Sequence, residues 1–191
     1  MDGECAVIIA DALKNCKTLQ SIVLHDCILH QAFFQNNISD TLKSIVATGI
    51  QASYLPLISN SILNSSLQSL KLQFQYPSPS EDIVNEFICS CLPTLPQLRK
   101  LELAHLTLST RTIKFISNIL PQLYELSLES NELEDVGIIS LVLQLPECHH
   151  LHALRLDNQG CTDIGAISIV QAIKEYCIWV EIELALMVLK P

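Results

Sequence analysis

The feature that most constrains the fold of this chain is a spaced pattern of leucine and other apolar residues that occurs seven times. Each copy is a variant of L-x-x-L-x-L-x-x-(N/C)-x-L, and the copies begin at Leu19, Leu42, Leu67, Leu98, Leu123, Leu151 and Trp179. Six steps lead from position 19 to position 179, so the mean period is about 27 residues. A period of this length indicates one supersecondary unit per copy, and such a unit buries its apolar face only by stacking on its neighbours.

The fifth copy shows what one unit is expected to look like. Polar and apolar residues alternate over positions 125–128, which predicts a strand with Leu126 and Leu128 directed into a core. Asn131 follows where the chain must turn, and its amide can bond backbone groups that the turn leaves unpaired. Pro146 is expected to end the helix that comes next, since the residue before a proline avoids the helical region. That helix is predicted from apolar residues at positions 138, 141, 142 and 145.

The sixth copy predicts a second helix of the same kind, and the two ends of the chain hold incomplete units. Thr162 or Asp163 is the expected N-cap of this helix. Its expected buried face, which runs to about Tyr176, consists of Ile164, Ile167, Val170 or Gln171, and Ile173. Residues 4–16 are expected to be the helical half of a first unit, and residues 179–189 a last, partial unit.

These units resemble the leucine-rich-repeat family, and more narrowly its ribonuclease-inhibitor-like subfamily. The match rests on LSLESNELEDVGIISLVLQL, LRLDNQGCTDIGAISIVQAI and ADALKNCKTLQSIVL, and the resemblance covers residues 4–189. It implies an α/β right-handed solenoid shaped as a horseshoe arc, with parallel strands on the concave face and helices on the convex face. We therefore expect residues 1–191 to form a single leucine-rich-repeat domain of about seven repeats.

Charge and composition argue against several classes of partner. The net charge of −9 lacks the basic surface that nucleic acids or anionic membranes require. No apolar run of the sequence reaches the roughly 18 residues of a membrane span. The first residues carry Asp2, Glu4 and Asp11 with no early lysine or arginine, so we expect no secretory signal peptide there.

The eight cysteines are expected to be reduced thiols that pack as small apolar residues. Cys16 and Cys148 stand in a column that other copies fill with leucine, and Cys27 and Cys161 occupy core positions of their copies. Reduced thiols imply a reducing compartment, so we expect a cytoplasmic location.

The densest cluster of metal-type ligands is the segment ECHHLH, with His149, His150 and His152. Zinc takes about four converging ligands. The alternative is that Cys148 packs in the core and Leu151 begins a strand, which spreads the histidines apart, and we expect no metal or other cofactor. The chain has five glycines and no glycine-rich phosphate loop, G-x-S-x-G or H-E-x-x-H motif, so we expect no enzyme activity.

Outward positions on the predicted strands form the candidate partner-binding surface. Those singled out are His25, Lys71, Gln73, Phe74, Glu102, His105, Glu125, Glu129, Arg155, Asp157, Glu181 and Glu183. The C-terminal half of this surface has six acidic residues and two basic ones, Lys100 and Arg155. This excess of negative charge is expected to steer a basic partner toward it. The alternative is a solvated strand face whose charges serve no partner. Ser127 is expected to face outward, and Phe74 and Arg155 are the expected anchors.

The sequence thus predicts a non-catalytic recognition module that binds a protein, expected to be basic, on its concave face. The irregular spacing resembles the small repeat proteins that intracellular bacteria inject, which makes a bacterial effector acting on a host protein in the host cytosol one expectation. The alternative is a fragment of a ubiquitin-ligase adaptor or of an intracellular sensor. A metal-dependent enzyme would rest only on the histidine cluster. We expect a monomer, with the C-terminal strand Trp179–Leu189 as a route to self-association.

Overall fold

The chain folds around a parallel sheet whose seven strands lie side by side in chain order. The structure, a computed structural model, describes residues 11–12, 15–26, 41–176 and 181–183. Each strand pairs in parallel with the next one along the chain. The strands are β1 (Ser21–His25), β2 (Ser44–Ile50), β3 (Ser69–Phe74), β4 (Lys100–Ala104), β5 (Glu125–Ser127), β6 (Ala153–Arg155) and β7 (Glu181–Glu183). The expected α/β class with a parallel sheet is confirmed.

Helices connect the strands from β2 onward. They are α1 (Leu55–Ile62), α2 (Glu81–Glu86), α3 (Thr110–Ile119), α4 (Glu134–Val142) and α5 (Asp163–Tyr176). A π-helical segment, Phe87–Cys91, continues α2. The returns after α2, α3 and α4 each contain a short 3-10 turn with proline at its second position, Leu92–Thr94, Leu120–Gln122 and Leu145–Glu147. The prolines stand where the helical hydrogen-bond ladder stops, because proline has no N–H to donate.

The core lies between the sheet and the helices. Inner side chains of successive strands stand in register and are buried, as in the row Ile45, Leu70, Leu101, Leu126 and Leu154. Apolar side chains of the helices, among them Ile58, Val84, Ile116, Ile138 and Ile169, belong to the same cluster. Leu126 and Leu128 are both 0% exposed, so the predicted inward direction of these leucines is confirmed.

A left-handed backbone position recurs near the C-terminal ends of five strands. It lies two residues beyond an inner apolar residue and is occupied by Asp26, Gly49, His105, Ser130 and Asn158, with φ between 48° and 66°. Aspartate, asparagine and histidine are enriched in this region among residues with a side chain. A Cβ atom at position 49 would lie 1.9 Å from Asp26 Oδ1, so glycine is the residue that fits there.

Buried amide side chains join neighbouring units at the turns. Asn131 Nδ2 donates to the carbonyls of Leu103 (2.8 Å) and Glu129 (3.1 Å), and Asn131 Oδ1 accepts from the N–H of Leu106 (2.8 Å). The prediction that this amide bonds turn backbone is confirmed. Gln159 repeats the arrangement one unit later, since its Nε2 donates to the carbonyls of Leu128 and Asp157 and its Oε1 accepts from the N–H of Leu133.

The predicted buried face of α5 is wrong at three of its four positions. Ile164, Ile167 and Val170 are 64%, 53% and 61% exposed, while the buried side of the helix carries Gly165, Ile169 and Ala172. Of the residues expected in the core, Ile173 is partly buried against it and Gln171 is exposed. The physical reason lies at the start of the helix, where contacts with the preceding unit set its rotation.

Those contacts centre on the carboxylate of Asp135. Asp135 Oδ1 accepts from the N–H groups of Thr162 (2.8 Å) and Gly165 (2.9 Å), and Oδ2 accepts from the Thr162 hydroxyl (2.6 Å). Thr162 in turn caps α5, because its hydroxyl oxygen accepts from the N–H of Ile164 at 3.2 Å. The side chain of Asp135 therefore turns the Gly165 side of α5 toward α4.

We expect these hydrogen bonds to give the protein an acid-sensitive contribution to stability. The side-chain and backbone hydrogen bonds from Thr162 hold the pKa of Asp135 below its ordinary value of 3.8. A carboxyl group whose pKa is lowered by folding stabilises the folded state fully above the unfolded pKa, and this is lost as the pH falls through the lowered value. Asp135→Asn should therefore remove part of the decline in melting temperature between about pH 5 and about pH 2. An Asp82→Asn variant, which changes an exposed aspartate at the start of α2, is the control. Identical acid profiles for wild type and Asp135→Asn would contradict the assignment.

The described cysteines are free thiols. Cys148 is buried as predicted, whereas Cys16 and Cys161 are only half-buried, and Cys27 lies outside the described residues. Burial, together with the neighbouring Glu147 carboxylate, raises the pKa of the Cys148 thiol to about 11. Among the described helices, none is both long and apolar enough to cross a bilayer.

Candidate protein-binding face

The side of the sheet opposite the helices carries the candidate site, and we call it the outer sheet face. Its residues come from alternate strand positions that the register aligns across the sheet. One row consists of Ser21, Ser44, Ser69, Lys100, Glu125, Ala153 and Glu181. The next consists of Val23, Val46, Lys71, Glu102, Ser127, Arg155 and Glu183. A third, shorter row consists of His25, Thr48, Gln73 and Ala104.

Two ion pairs cross the middle of this face. Lys71 Nζ lies 2.6 Å from Glu102 Oε2, and Lys100 Nζ lies 2.6 Å from Glu125 Oε1. Each pair joins residues that stand opposite one another on adjacent strands, β3 with β4 and β4 with β5. The side chains are between 28% and 47% exposed, so each pair contributes only about 0.5 kcal/mol. Their main consequence is that Glu102 and Glu125 are neutralised locally.

The acidic character of the outer sheet face is therefore concentrated toward its C-terminal side. Glu129 is exposed at the end of β5, and Asp157 is half-buried beyond β6. Glu181 and Glu183 lie on β7, in register with Ala153 and Arg155. The predicted excess of acid is shifted here, because the count for the C-terminal half did not include Lys71, which pairs with Glu102, and could not show that Lys100 pairs with Glu125.

On the N-terminal side of the face, from β1 to β3, Lys71 is the one lysine, arginine or acidic residue in the three rows. Three serines form its first row, and Val23, which is 55% exposed, stands beside Val46 in the second. His25 Nδ1 and Thr48 Oγ1 are 2.6 Å apart and share a hydrogen bond across β1 and β2. The candidate contact residues predicted from the sequence did not include these two valines. The recurrence of valine at the same outward position of consecutive copies could have indicated them.

One of the two expected anchors is wrong. Phe74 is 3% exposed and stands in register with buried Ile50. Alternation explains the error, since Lys71 and Gln73 face outward and Leu72 and Phe74 must then face inward. Ser127 lies in the outward row as predicted, between Glu102 and Arg155, although it is only 9% exposed.

The remaining predicted residues lie at or beside the face. Lys71, Gln73, Glu102 and Arg155 are half-buried on the strands. His105 lies at the left-handed turn after β4, and its N–H donates to the carbonyl of Glu129 at 3.4 Å. The structure thus brings the strand residues together as one surface and places His105 at the edge where the strands end.

The histidine cluster lies away from this face, before β6. His149, His150 and His152 are exposed, and the ring of Tyr124 lies 6.0 Å from that of His150 and 5.8 Å from that of His152. The thiol of Cys148 is directed instead to the carbonyl of Gln144, at 3.1 Å. Within the described ranges, no three histidine, cysteine or acidic side chains converge as metal ligands would.

No protein-family model matches the chain, and no curated protein sequence matches it. The proposed function therefore rests on the geometry and charge of the outer sheet face.

Proposed function

We propose that this chain is a leucine-rich-repeat protein of the ribonuclease-inhibitor-like kind, folded as a right-handed solenoid. Three repeated details support this. Parallel strands follow one another in chain order, five of the copies have a left-handed residue at the same turn position, and the amides of Asn131 and Gln159 make equivalent bonds one unit apart. Each detail recurs with the sequence repeat, as it would in a stack of similar units.

The chain acts as a non-catalytic recognition module whose outer sheet face, concave in such a solenoid, binds a basic protein. The observation that carries this proposal is the register of the outer sheet face. Polar and charged side chains from adjacent strands form one surface, while the inner rows are buried. Acidic groups at its C-terminal side, with Glu129 the most exposed of the described ones, attract a cationic partner and raise the rate of encounter.

The buried thiols of Cys91 and Cys148 support a reducing, cytoplasmic setting for this function, since neither is paired in a disulfide. Action as a bacterial effector on a host protein stays a prediction from the sequence. No observation on the outer sheet face favours an adaptor or a sensor over it.

A charge-reversal experiment tests the proposed surface. Glu129→Lys combined with Asp157→Lys should lower the association rate with a captured basic partner by about tenfold at low salt, because steering depends on the local field. The difference should shrink as salt rises, since screening weakens interactions between exposed charges. The measurement is surface-based or stopped-flow binding kinetics at several ionic strengths.

The matched control is Glu81→Lys combined with Asp82→Lys, which reverses two exposed acids at the start of α2, outside the outer sheet face. Both double variants change the net charge by the same amount. Equal association rates for the two would show that position on the outer sheet face is irrelevant, and the proposal would be abandoned.

A further inference from the structure

Helix α5 presents an apolar stripe with a charge at each end. Ile167 and Val170 form the middle of the stripe and are 53% and 61% exposed. Asp163 and Lys174 are exposed one turn beyond them at either end. Eleven residues separate the two charged groups, which is about three turns of an α-helix, so all four side chains lie along the same side.

The preceding unit shows what this side of a helix does. Asp135, Ile139 and Val142 of α4 stand 28 residues before Asp163, Ile167 and Val170. Asp135 binds the first turn of α5, and Val142 is 7% exposed. Ile139 is half-buried. The same three positions are therefore covered on α4 and open on α5 within the part of the chain that the structure describes.

Lys174 is the feature that the repeat does not explain. The residue at the equivalent position, 28 residues earlier, is Pro146. The preceding unit therefore has no cation at this position of its packing surface. Neither Asp163 nor Lys174 forms an ion pair with another described residue. Their placement is symmetric about the centre of the stripe, between Ile167 and Val170.

We propose that α5 binds α5 of a second copy of this chain, with the two helices antiparallel across a two-fold axis. In that arrangement Asp163 meets Lys174 of the second copy, Lys174 meets Asp163 of the second copy, and Ile167 packs on Val170 of the second copy. A parallel pairing would set like charges against each other, which is unfavourable. An isologous contact needs a surface complementary to itself, and the order acid, apolar, apolar, base supplies it.

The first test measures mass against concentration by sedimentation velocity. We expect wild type to shift toward twice its 21.3 kDa mass as concentration rises, and Ile167→Lys to raise the dimer dissociation constant at least about tenfold, because each dimer contains the change twice. The matched control is Leu143→Lys, since Leu143 is 69% exposed near the end of α4 and outside the stripe. This variant should dimerise like wild type.

The second test exchanges the charges. Asp163→Lys and Lys174→Asp alone should each weaken the dimer about tenfold, and the double variant should restore it to within about threefold of wild type. The double exchange opposes the helix dipole at both ends, so its recovery cannot come from a more stable helix. Circular dichroism confirms that each variant is folded.

Three results would overturn the proposal. One is a wild-type monomer up to about 1 mM. Another is a dimer that Ile167→Lys leaves intact, which would locate self-association elsewhere, as at the C-terminal strand. The third is a folded double variant that associates no better than the single ones.

Discussion

Replacement of Leu126 by alanine is expected to lower the free energy of unfolding by about 3 kcal/mol. Leu126 is 0% exposed on β5 and stands in register between Leu101 and Leu154. The truncation removes apolar contacts and leaves a cavity in the middle of the inner row, where both flanking strands are held by their own hydrogen bonds and cannot close the gap. Urea unfolding followed by circular dichroism measures the loss.

Leu143→Ala is the control for this substitution. It removes the same atoms from a side chain that is 69% exposed, so its effect should stay within about 0.5 kcal/mol. Comparable losses for the two variants would mean that the inner row does not form the core. A change in the slope of unfolding against urea would show instead that the units unfold separately.

Replacement of Asn131 by alanine is expected to cost about 3 kcal/mol, although the residue is polar. Its amide makes three hydrogen bonds with backbone groups, and the side chain is 1% exposed. Alanine would leave the N–H of Leu106 and the carbonyl of Leu103 without this partner. A buried polar group that loses its partner costs about 1–3 kcal/mol. Thermal and urea unfolding measure the effect.

Two further variants sharpen this test. Asn118→Ala removes an amide that is already exposed to solvent on α3, so it should leave the free energy of unfolding nearly unchanged. Asn131→Asp keeps the size of the side chain but loses both donated bonds, and it should destabilise the protein at pH 7 at least as much as alanine does, because it places a carboxylate beside two carbonyls. An Asn131→Ala variant as stable as Asn118→Ala would refute the structural role of the amide.

The sequence predicts those parts of the fold that depend on local alternation and on the repeat. Leu126 and Leu128 could be assigned to the core because polar residues flank each of them, and Asn131 could be assigned to the turn because its position recurs relative to the leucines. Both assignments use information contained within one unit, and the structure confirms them.

Contacts between units could not be predicted in the same way. Helix α5 is apolar on two sides, so periodicity is compatible with burying Ile164 and Ile167 or with burying Ile169 and Ala172. The choice depends on Asp135, which lies in the preceding unit and holds Thr162 and Gly165. The pattern of apolar residues within one unit cannot indicate a hydrogen bond to a side chain of another unit.

The outward direction of most candidate residues on the strands could be predicted from alternation, but the ion pairs between them could not. The outward direction of Lys71 and Glu102 follows from alternation, yet their ion pair depends on the pairing of β3 with β4, across 31 residues of chain. Phe74 was misplaced because β3 continues to that residue, whereas other copies turn at the corresponding position through a left-handed residue such as His105 or Ser130.

The amide bonds at the turns help to hold the fourth, fifth and sixth copies in register, although these copies are spaced 25 and 28 residues apart. Successive copies are spaced between 23 and 31 residues apart, yet the strands align without slippage from β3 to β6. The side chains of Asn131 and Gln159 each form hydrogen bonds with the backbone of their own turn and of the turn before it. A shift of one strand by a single residue would therefore break several buried hydrogen bonds at once. Between these units we therefore expect insertions and deletions in the segments that return from one strand to the next, where a change in length leaves the spacing of side chains on the sheet constant.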